Sequence, residues 1–324
     1  MYQPAVSIIV CCYNSADTLP WTLRTLSAQS FPNFEIVAID DGSRDDTRAV
    51  LEEYAKAEPR LRLLANAGNR GTAYSRQRGL DEARAGLVMF VDADDLAEPN
   101  LVERLHETLL SDNALMGVSC YTTYFVEKGR ALGLQAIGPT SRSQFQKLYD
   151  CNKMVFIAPC TLFHKADAMA VGGYRQAIMP NSEGIRYEDF SEDLDLWCRM
   201  SDLGEYGRYF LTLPESLLLY RKPATSVSTN NVGLMQLKMR WIKDCLRRRR
   251  AGRDEQSLAE FISSRSLLER WSDWRSDKAA ACYKQAGFAY AQRKLAMLAF
   301  YLILAGMMSP KLIRQKIATQ RAER

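Results

Sequence analysis

Leu87-Val88-Met89-Phe90-Val91-Asp92-Ala93-Asp94-Asp95 passes in one step from a wholly apolar run to three carboxylates in four positions. An apolar run of this length without alternation reads as a strand covered on both faces, as in a parallel sheet flanked by helices. Working outward, Val6–Cys12 is a similar β-rich run that stops at Tyr13-Asn14-Ser15, and Phe34–Ile39 is another, ending in Asp40-Asp41-Gly42-Ser43. Leu61–Leu64 makes a shorter third strand, which places Leu87–Val91 fourth. Helical patterns separate the runs: Leu19, Leu23 and Leu26 after the first, about 46–56 after the second, and about 71–85 before the fourth. Strand and helix in alternation predict an α/β fold, a mostly parallel sheet with helices on both faces. Ligands bind such sheets beyond the C-terminal ends of the strands, where Tyr13-Asn14, Asp40-Asp41 and Asp92–Asp95 all fall.

The remainder of the chain is less regular. Strands are expected near 116–126 and 210–219, and a helix from about Ser191 carries Glu192, Asp193, Asp195, Trp197 and Arg199. Residues 1–231 hold 23 Lys and Arg against 30 Asp and Glu, whereas 232–324 hold 20 against 8. The expected organisation is therefore one large α/β domain over 1–231, in two sections (1–112 and 113–231), with a basic helical extension over 232–324. The eight cysteines include no CxxC pair, and several lie in apolar runs. They read as buried thiols in a reducing compartment, neither a disulfide frame nor a zinc site. The N-terminus lacks a basic segment ahead of its apolar run, so no signal peptide is expected and the cytoplasm is the default location.

The chemistry follows from what the strand ends lack. Cys12–Asp17 contains no glycine, which argues against a dinucleotide-binding turn, and no phosphate-binding P-loop is present. With only His106 and His164, neither beside a GxSxG elbow, a serine hydrolase triad is also disfavoured. A diphosphate can instead be held through Mg²⁺ or Mn²⁺ on one or two hard carboxylates. Asp92 and Asp94, two apart at a strand end, suit that task. The competing structural reading is an Asp-rich turn that caps the next helix, with Asp95 as the cap.

Taken together, Val6–Asn14, Asp40–Thr47, Asn69-Arg70-Gly71 through Arg76-Gln77-Arg78-Gly79-Leu80, and Phe90–Asp95 resemble the family 2 glycosyltransferases of GT-A fold. Val171-Gly172-Gly173-Tyr174, Glu192–Arg199 and Leu213-Pro214-Glu215-Ser216 to Tyr220-Arg221 resemble the acceptor half, so the likeness covers about residues 5–229. The resemblance implies an inverting transfer from a nucleoside-diphosphate sugar, UDP by preference, to an acceptor hydroxyl. It implies donor contacts from Cys11, Tyr13, Asn14, Asp40, Asp41, Asn69, Arg76 and Asp92, metal binding by Asp92 and Asp94, and catalytic base action by Asp193. Glu192, Trp197 and Arg221 are placed near acceptor or phosphate. Glu188-Asp189, just upstream, is the rival base pair; Asp193 is preferred because Leu194–Trp197 and Arg199 follow it as in the family.

Two departures stand out. Arg76-Gln77-Arg78-Gly79 differs from the family's Arg-Asn-x-Gly, a change that bears on donor contacts. Pro223 stands where the family commonly has a histidine, and Arg221 or Ser226 is the candidate substitute. The tail adds the run Arg247–Arg250 and the uncharged stretch 295–308. That stretch is shorter than the roughly 20 residues of a spanning helix. It reads as one arm of a helical hairpin, about 277–292 with 294–308, or as an interfacial helix. The arginine run is the better candidate for a peripheral contact with anionic membrane; no nucleic-acid-binding module is recognisable. The acceptor class expected is a glycan or lipid-linked sugar of polysaccharide, lipopolysaccharide or glycolipid assembly. The alternatives are a non-catalytic nucleotide-sugar-binding protein on the same fold, or a sugar nucleotidyltransferase, whose Gly-rich basic loop is missing.

Overall fold

The computed structural model describes residues 3–126, 130–182, 184–222, 231–311 and 313–314. They form two compact units, Met1–Lys222 with Ile242–Glu255, and Pro223–Trp241 with Gln256–Arg324. The first unit is built on one nine-stranded sheet. Its strands are β1 (Val6–Cys12), β2 (Phe34–Asp40), β3 (Leu61–Ala65), β4 (Leu87–Phe90), β5 (Leu96–Ala97), β6 (Leu115–Val126), β7 (Arg130–Gln135), β8 (Leu162–His164) and β9 (Tyr209–Arg221). The helices between them are α1 (Leu19–Ser27), α2 (Thr47–Ala57), α3 (Thr72–Glu82), α4 (Leu101–Leu110), α5 (Arg142–Asp150), α6 (Lys165–Ala170) and α7 (Glu192–Met200).

The sheet order is β3-β2-β1-β4-β8-β6-β9-β5, with β7 paired to β6. β3, β2, β1 and β4 are parallel neighbours, as the continuous apolar runs require, and every residue of β2 is buried. The sheet then turns mixed: β8 is antiparallel to both β4 and β6, whereas β6 and β9 run parallel. Three-residue β8 and two-residue β5 are too short to leave a periodic signal in the sequence. On one face Gly79 of α3 lets the helix sit directly on β1, where an added Cβ would lie 2.4 Å from the Ile9 side chain. On the other half, Trp197 of α7 packs edge-on against Phe163 and Phe210, with centroids 5.1 and 5.6 Å away.

The two ends of the parallel strands differ chemically. At the N-terminal end, buried Glu35 accepts hydrogen bonds from Ser7 and the Arg84 amide and pairs with Arg62, so its charge is fully met. At the C-terminal end the carboxylates are less completely paired, and that is where a ligand has something to offer.

The second unit contains α9 (Leu258–Ser264), α10 (Leu267–Ala291) and α11 (Leu295–Met308), while α8 (Val232–Arg250) contributes its N-terminal half here and its C-terminal half to the first unit. α10 and α11 pack on one another as the expected hairpin, with α10 beginning ten residues earlier than the pattern suggested. No helix among the described residues is long and apolar enough to cross a membrane. The arginine run requires a correction. Arg248 pairs with Asp244, Arg249 with Asp202 and Glu255, and Arg250 with Asp202, the Tyr149 carbonyl and Ser201. Three of its four charges are satisfied inside the first unit, so the run is a fastening of α8 and a poor headgroup patch.

Candidate active site

The site is assembled where β1, β2 and β4 end. After β1 the chain turns through Asn14, whose φ of 49° is left-handed, a conformation asparagine tolerates better than most side chains. Asn14 ties this turn to the one after β2: its N–H donates to Ser43 Oγ and its Oδ1 accepts from the Arg44 N–H. Tyr13 beside it leaves its ring 42% exposed, free to meet a ligand. The half-buried Cys11 thiol is pushed up to about 12 by burial, with Arg76 opposing, which keeps it protonated.

The two aspartates after β2 mainly organise loops. Asp40 Oδ1 accepts from the Ser43 N–H at 3.0 Å and closes its own turn. Buried Asp41 accepts from Asn66 Nδ2 and the Arg70 N–H through Oδ1, and from the Gly71 N–H through Oδ2. Three donors are already spent on Asp41, so its first effect is to shape the Asn69–Gly71 loop. Asn69 in turn receives Arg186, through both its carbonyl and its side-chain oxygen.

Gly71 precedes α3 with φ 97°, and an added Cβ would stand 2.3 Å from an Asp189 carboxylate oxygen. Asp189 Oδ1 accepts from the Ala73 N–H, a side chain satisfying the free amide at a helix start. The rival base pair is thereby separated from Glu192-Asp193: Asp189 ends a short 3-10 turn (Tyr187–Asp189), Phe190 is buried, and Ser191 enters α7 in a left-handed conformation. Asp189 is committed to α3, and this feature carried no sequence signal because its partner lies 116 residues away.

Arg76, buried on α3, joins the two acidic elements. Its guanidinium lies 3.0 Å from Asp92 and 3.2 Å from Glu192. Glu192 is pushed up by burial, with Arg76 opposing and the Asp193 charge adding. Asp193 is half-buried and accepts from the Leu194 N–H at 2.7 Å. Gln77, the departure from the family pattern, faces the other way: its Oε1 accepts from the Tyr174 N–H, and Arg78 bonds the Ala65 carbonyl and Asn66. The expectation that this change reaches the donor is corrected, because both side chains fasten α3 to neighbouring loops.

The loop after β4 is held from β9. Asp95 is not a helix cap: its buried Oδ1 accepts from the Arg221 N–H, and two-residue β5 follows it. Arg221 Nε donates to the Asp94 carbonyl at 3.1 Å, and its guanidinium covers Phe125. Pro223 and Ser226 lie outside the described residues. Asp94 is pushed up to about 6, first by burial and then by the charge of Asp92, with Arg221 opposing. Two further groups went unassigned from sequence. The Tyr220 phenol is pushed up first by burial and then by the charges of Asp92, Asp95, Asp94 and Asp193. Buried Tyr174 lies near Arg76, Asp193 and Glu192, and among the described residues its hydroxyl has no hydrogen-bond partner. Trp197, expected near acceptor or phosphate, is a core residue, 1% exposed between Phe163 and Phe210. His164 pairs in register with Leu87, at the opposite end of β4 from Asp92.

The donor set at Asp92 and Asp94 fits a hard divalent cation. It offers hard carboxylate oxygens, and Asp94 is raised first by burial and then by the charge of Asp92, with Arg221 opposing. Among the described residues no cluster of three or more His, Cys, Asp or Glu is arranged to hold a metal, so such an ion would depend on substrate oxygens for the rest of its shell.

A parallel β3-β2-β1-β4 core with Asp-Ala-Asp-Asp after β4, facing a Glu-Asp helix start, defines a glycosyltransferase of GT-A type. The chain belongs to glycosyl transferase family 2, whose model matches residues 7–172. It is 28% identical over 228 residues to an uncharacterized glycosyltransferase of Haemophilus influenzae, covering 70% of this chain and 68% of that one. It is 34% identical to a cholesterol galactosyltransferase of Borreliella burgdorferi, covering 65% of this chain and 60% of the relative. Two solved structures share the fold. S. aureus TarS aligns over 92% of this chain and 54% of its own, at 16% identity and a TM-score of 0.54. The mannosyltransferase PcManGT of Pyrobaculum calidifontis, in complex with GDP-Man and Mn²⁺, aligns over 95% and 87% at 18% identity and the same TM-score.

Proposed function

We propose that the chain transfers a sugar, with inversion, from a nucleoside-diphosphate donor to an acceptor hydroxyl in polysaccharide, lipopolysaccharide or glycolipid assembly. The observation that carries this reading is the Arg76 bridge from Asp92 to Glu192, which joins the donor end of β4 to the start of α7. Asp193, next to that bridge and bonded only to the neighbouring Leu194 amide among the described hydrogen bonds, is the base that takes the acceptor proton. Inversion then follows from attack on the face opposite the leaving diphosphate.

Tyr13 and the loops shaped by Asp40, Asp41 and Asn69 form the nucleotide end, with UDP the preferred nucleotide. A UDP-GlcNAc complex is known for S. aureus TarS, aligned at a TM-score of 0.53. Asp94, with Asp92, would hold Mg²⁺ or Mn²⁺, and such an ion offsets charge on the departing diphosphate. Arg221, at the end of β9, bonds the Asp94 carbonyl and adds fixed positive charge there. The basic C-terminal third is read as a peripheral contact with an anionic surface.

A thermal-shift screen of nucleotide sugars with and without Mn²⁺ tests the proposal, because a ligand of the folded state raises its melting temperature by mass action. The expected result is a shift with one UDP-sugar that grows with Mn²⁺. No shift with any nucleotide sugar would overturn the reading.

A further inference from the structure

We infer that the α10–α11 hairpin lies in the plane of an anionic lipid surface, with the outer face of α11 among the headgroups and upper acyl chains. This deepens the peripheral reading above, and it assigns the contact to a different element from the arginine run. α11 is Leu295–Met308, fourteen residues without a charge. Packing on α10 uses one side of it, around Leu298, Tyr301, Leu304 and Ala305. The other side is bare: Leu295, Phe300, Ile303 and Met307 are 57–72% exposed. At about 1.5 Å per residue the helix is roughly 21 Å long, too short for a hydrocarbon core of about 30 Å. It can lie in a bilayer surface but cannot cross one.

Both ends of this stripe carry what an interfacial helix needs. At one end the turn from α10 brings exposed Tyr290 beside Arg293, Lys294 and Leu295, through bonds from the Arg293 and Lys294 amides to Tyr290 and Ala289 carbonyls. At the other end Arg275 donates to the Met308 carbonyl and covers the Trp271 ring, which sets that half-exposed indole against the end of α11. Trp274, one turn along α10, is 53% exposed, and Lys311 and Arg314 follow α11. Aromatic side chains and cations at both ends of an apolar face are the pattern of a helix seated at headgroup level. Residues 278–322 contain eight Lys and Arg and no Asp or Glu. That charge suits anionic lipid and disfavours a second copy, because antiparallel pairing of two such faces would juxtapose like charges.

The test is co-sedimentation of the full chain with vesicles of phosphatidylcholine alone and with about one-third phosphatidylglycerol, an anionic surface of the kind that attracts clustered Lys and Arg. Binding to the anionic vesicles, weakened by salt, is expected. Phe300→Asp with Ile303→Asp should lower the partition coefficient at least about tenfold, and Arg293→Glu with Lys294→Glu by a similar factor. Both pairs are exposed, so unchanged circular dichroism and unchanged nucleotide-sugar binding are expected alongside. Nucleotide-sugar binding also separates the two readings, since its absence would count against the transferase while leaving the lipid result standing. No binding to anionic vesicles, equal binding to neutral ones, or a dimer in light scattering that the Phe300/Ile303 pair dissolves would overturn the inference.

Discussion

Arg76 holds Asp92 on one side and Glu192 on the other while almost wholly buried, so it organises two acidic elements at once. Removing it would strand Glu192 without a counter-charge. Arg76→Ala is expected to cost about 3–5 kcal/mol in urea unfolding, and Arg76→Lys to recover little, since an ammonium cannot reach two carboxylates with a planar fork. Asp193→Asn makes a sharper distinction. It should reduce transfer by about 10²–10⁴-fold while nucleotide-sugar binding in Mn²⁺ is left unchanged. Full activity would remove Asp193 from the base role. Asp94 supplies the pH dependence. Its carboxyl is raised from 3.8 to about 6, so its ionised form is disfavoured in the fold, and stability from this group is lost as pH rises through that window. A cation binds the ionised form, so Mn²⁺ affinity should fall as pH drops through about 6. Calorimetric titration at about pH 7.5 and pH 5.5 checks this; Asp94→Ala should abolish the dependence, and equal wild-type affinities would refute it.

At the level of elements, α3 and α7 are placed by contacts remote in sequence. α3 begins against Asp189, and Gly71 is required there for two reasons, its φ of 97° and the carboxylate 2.3 Å from any Cβ. Gly71→Ala is therefore expected to cost about 1–3 kcal/mol and to weaken donor binding together with stability. Asp189→Ala in the same chain should relieve the clash but leave the backbone strain. α7 is fixed by its core face. Asp195 and Arg199 lock it to the Val171 and Gly173 carbonyls, and Trp197 fills the space between β8 and β9. Trp197→Ala should destabilise by about 3–5 kcal/mol in denaturant unfolding. A selective rise in acceptor KM without that loss would restore the tryptophan to the acceptor site.

Across the whole molecule the basic C-terminal third divides into two kinds of charge. Arg249 and Arg250 are paired with Asp202 and Glu255 and serve the first unit. Arg293, Lys294, Lys311 and Arg314 have no acidic residue near them in sequence. Replacing Arg249 and Arg250 by Gln should lower the melting temperature by several degrees, at about 2–4 °C per kcal/mol for a chain of this size, and leave vesicle binding unchanged. Loss of vesicle binding with unchanged stability would reverse that division.

Much of the fold was legible because parallel strands buried on both faces must be continuously apolar. β1 to β4 appear in the sequence within a residue or two of their ends, and the carboxylates after β2 and β4 could only fall at the ligand-binding edge. The Asp-Ala-Asp-Asp and Glu-Asp motifs were likewise visible, being local strings. What the string could not carry was partnership over distance. β8 and β5 are too short for periodicity, and Asp189, Tyr174 and Tyr220 acquire their surroundings from segments far along the chain. Trp197 and Arg248–Arg250 show the same limit: a tryptophan after an acidic motif and a run of arginines look available until packing shows what already surrounds them. Composition and pattern determined the sheet, its ligand edge and its charge asymmetry. Only the tertiary structure decided which of those charges are spent on the fold, because pairing depends on distance in space.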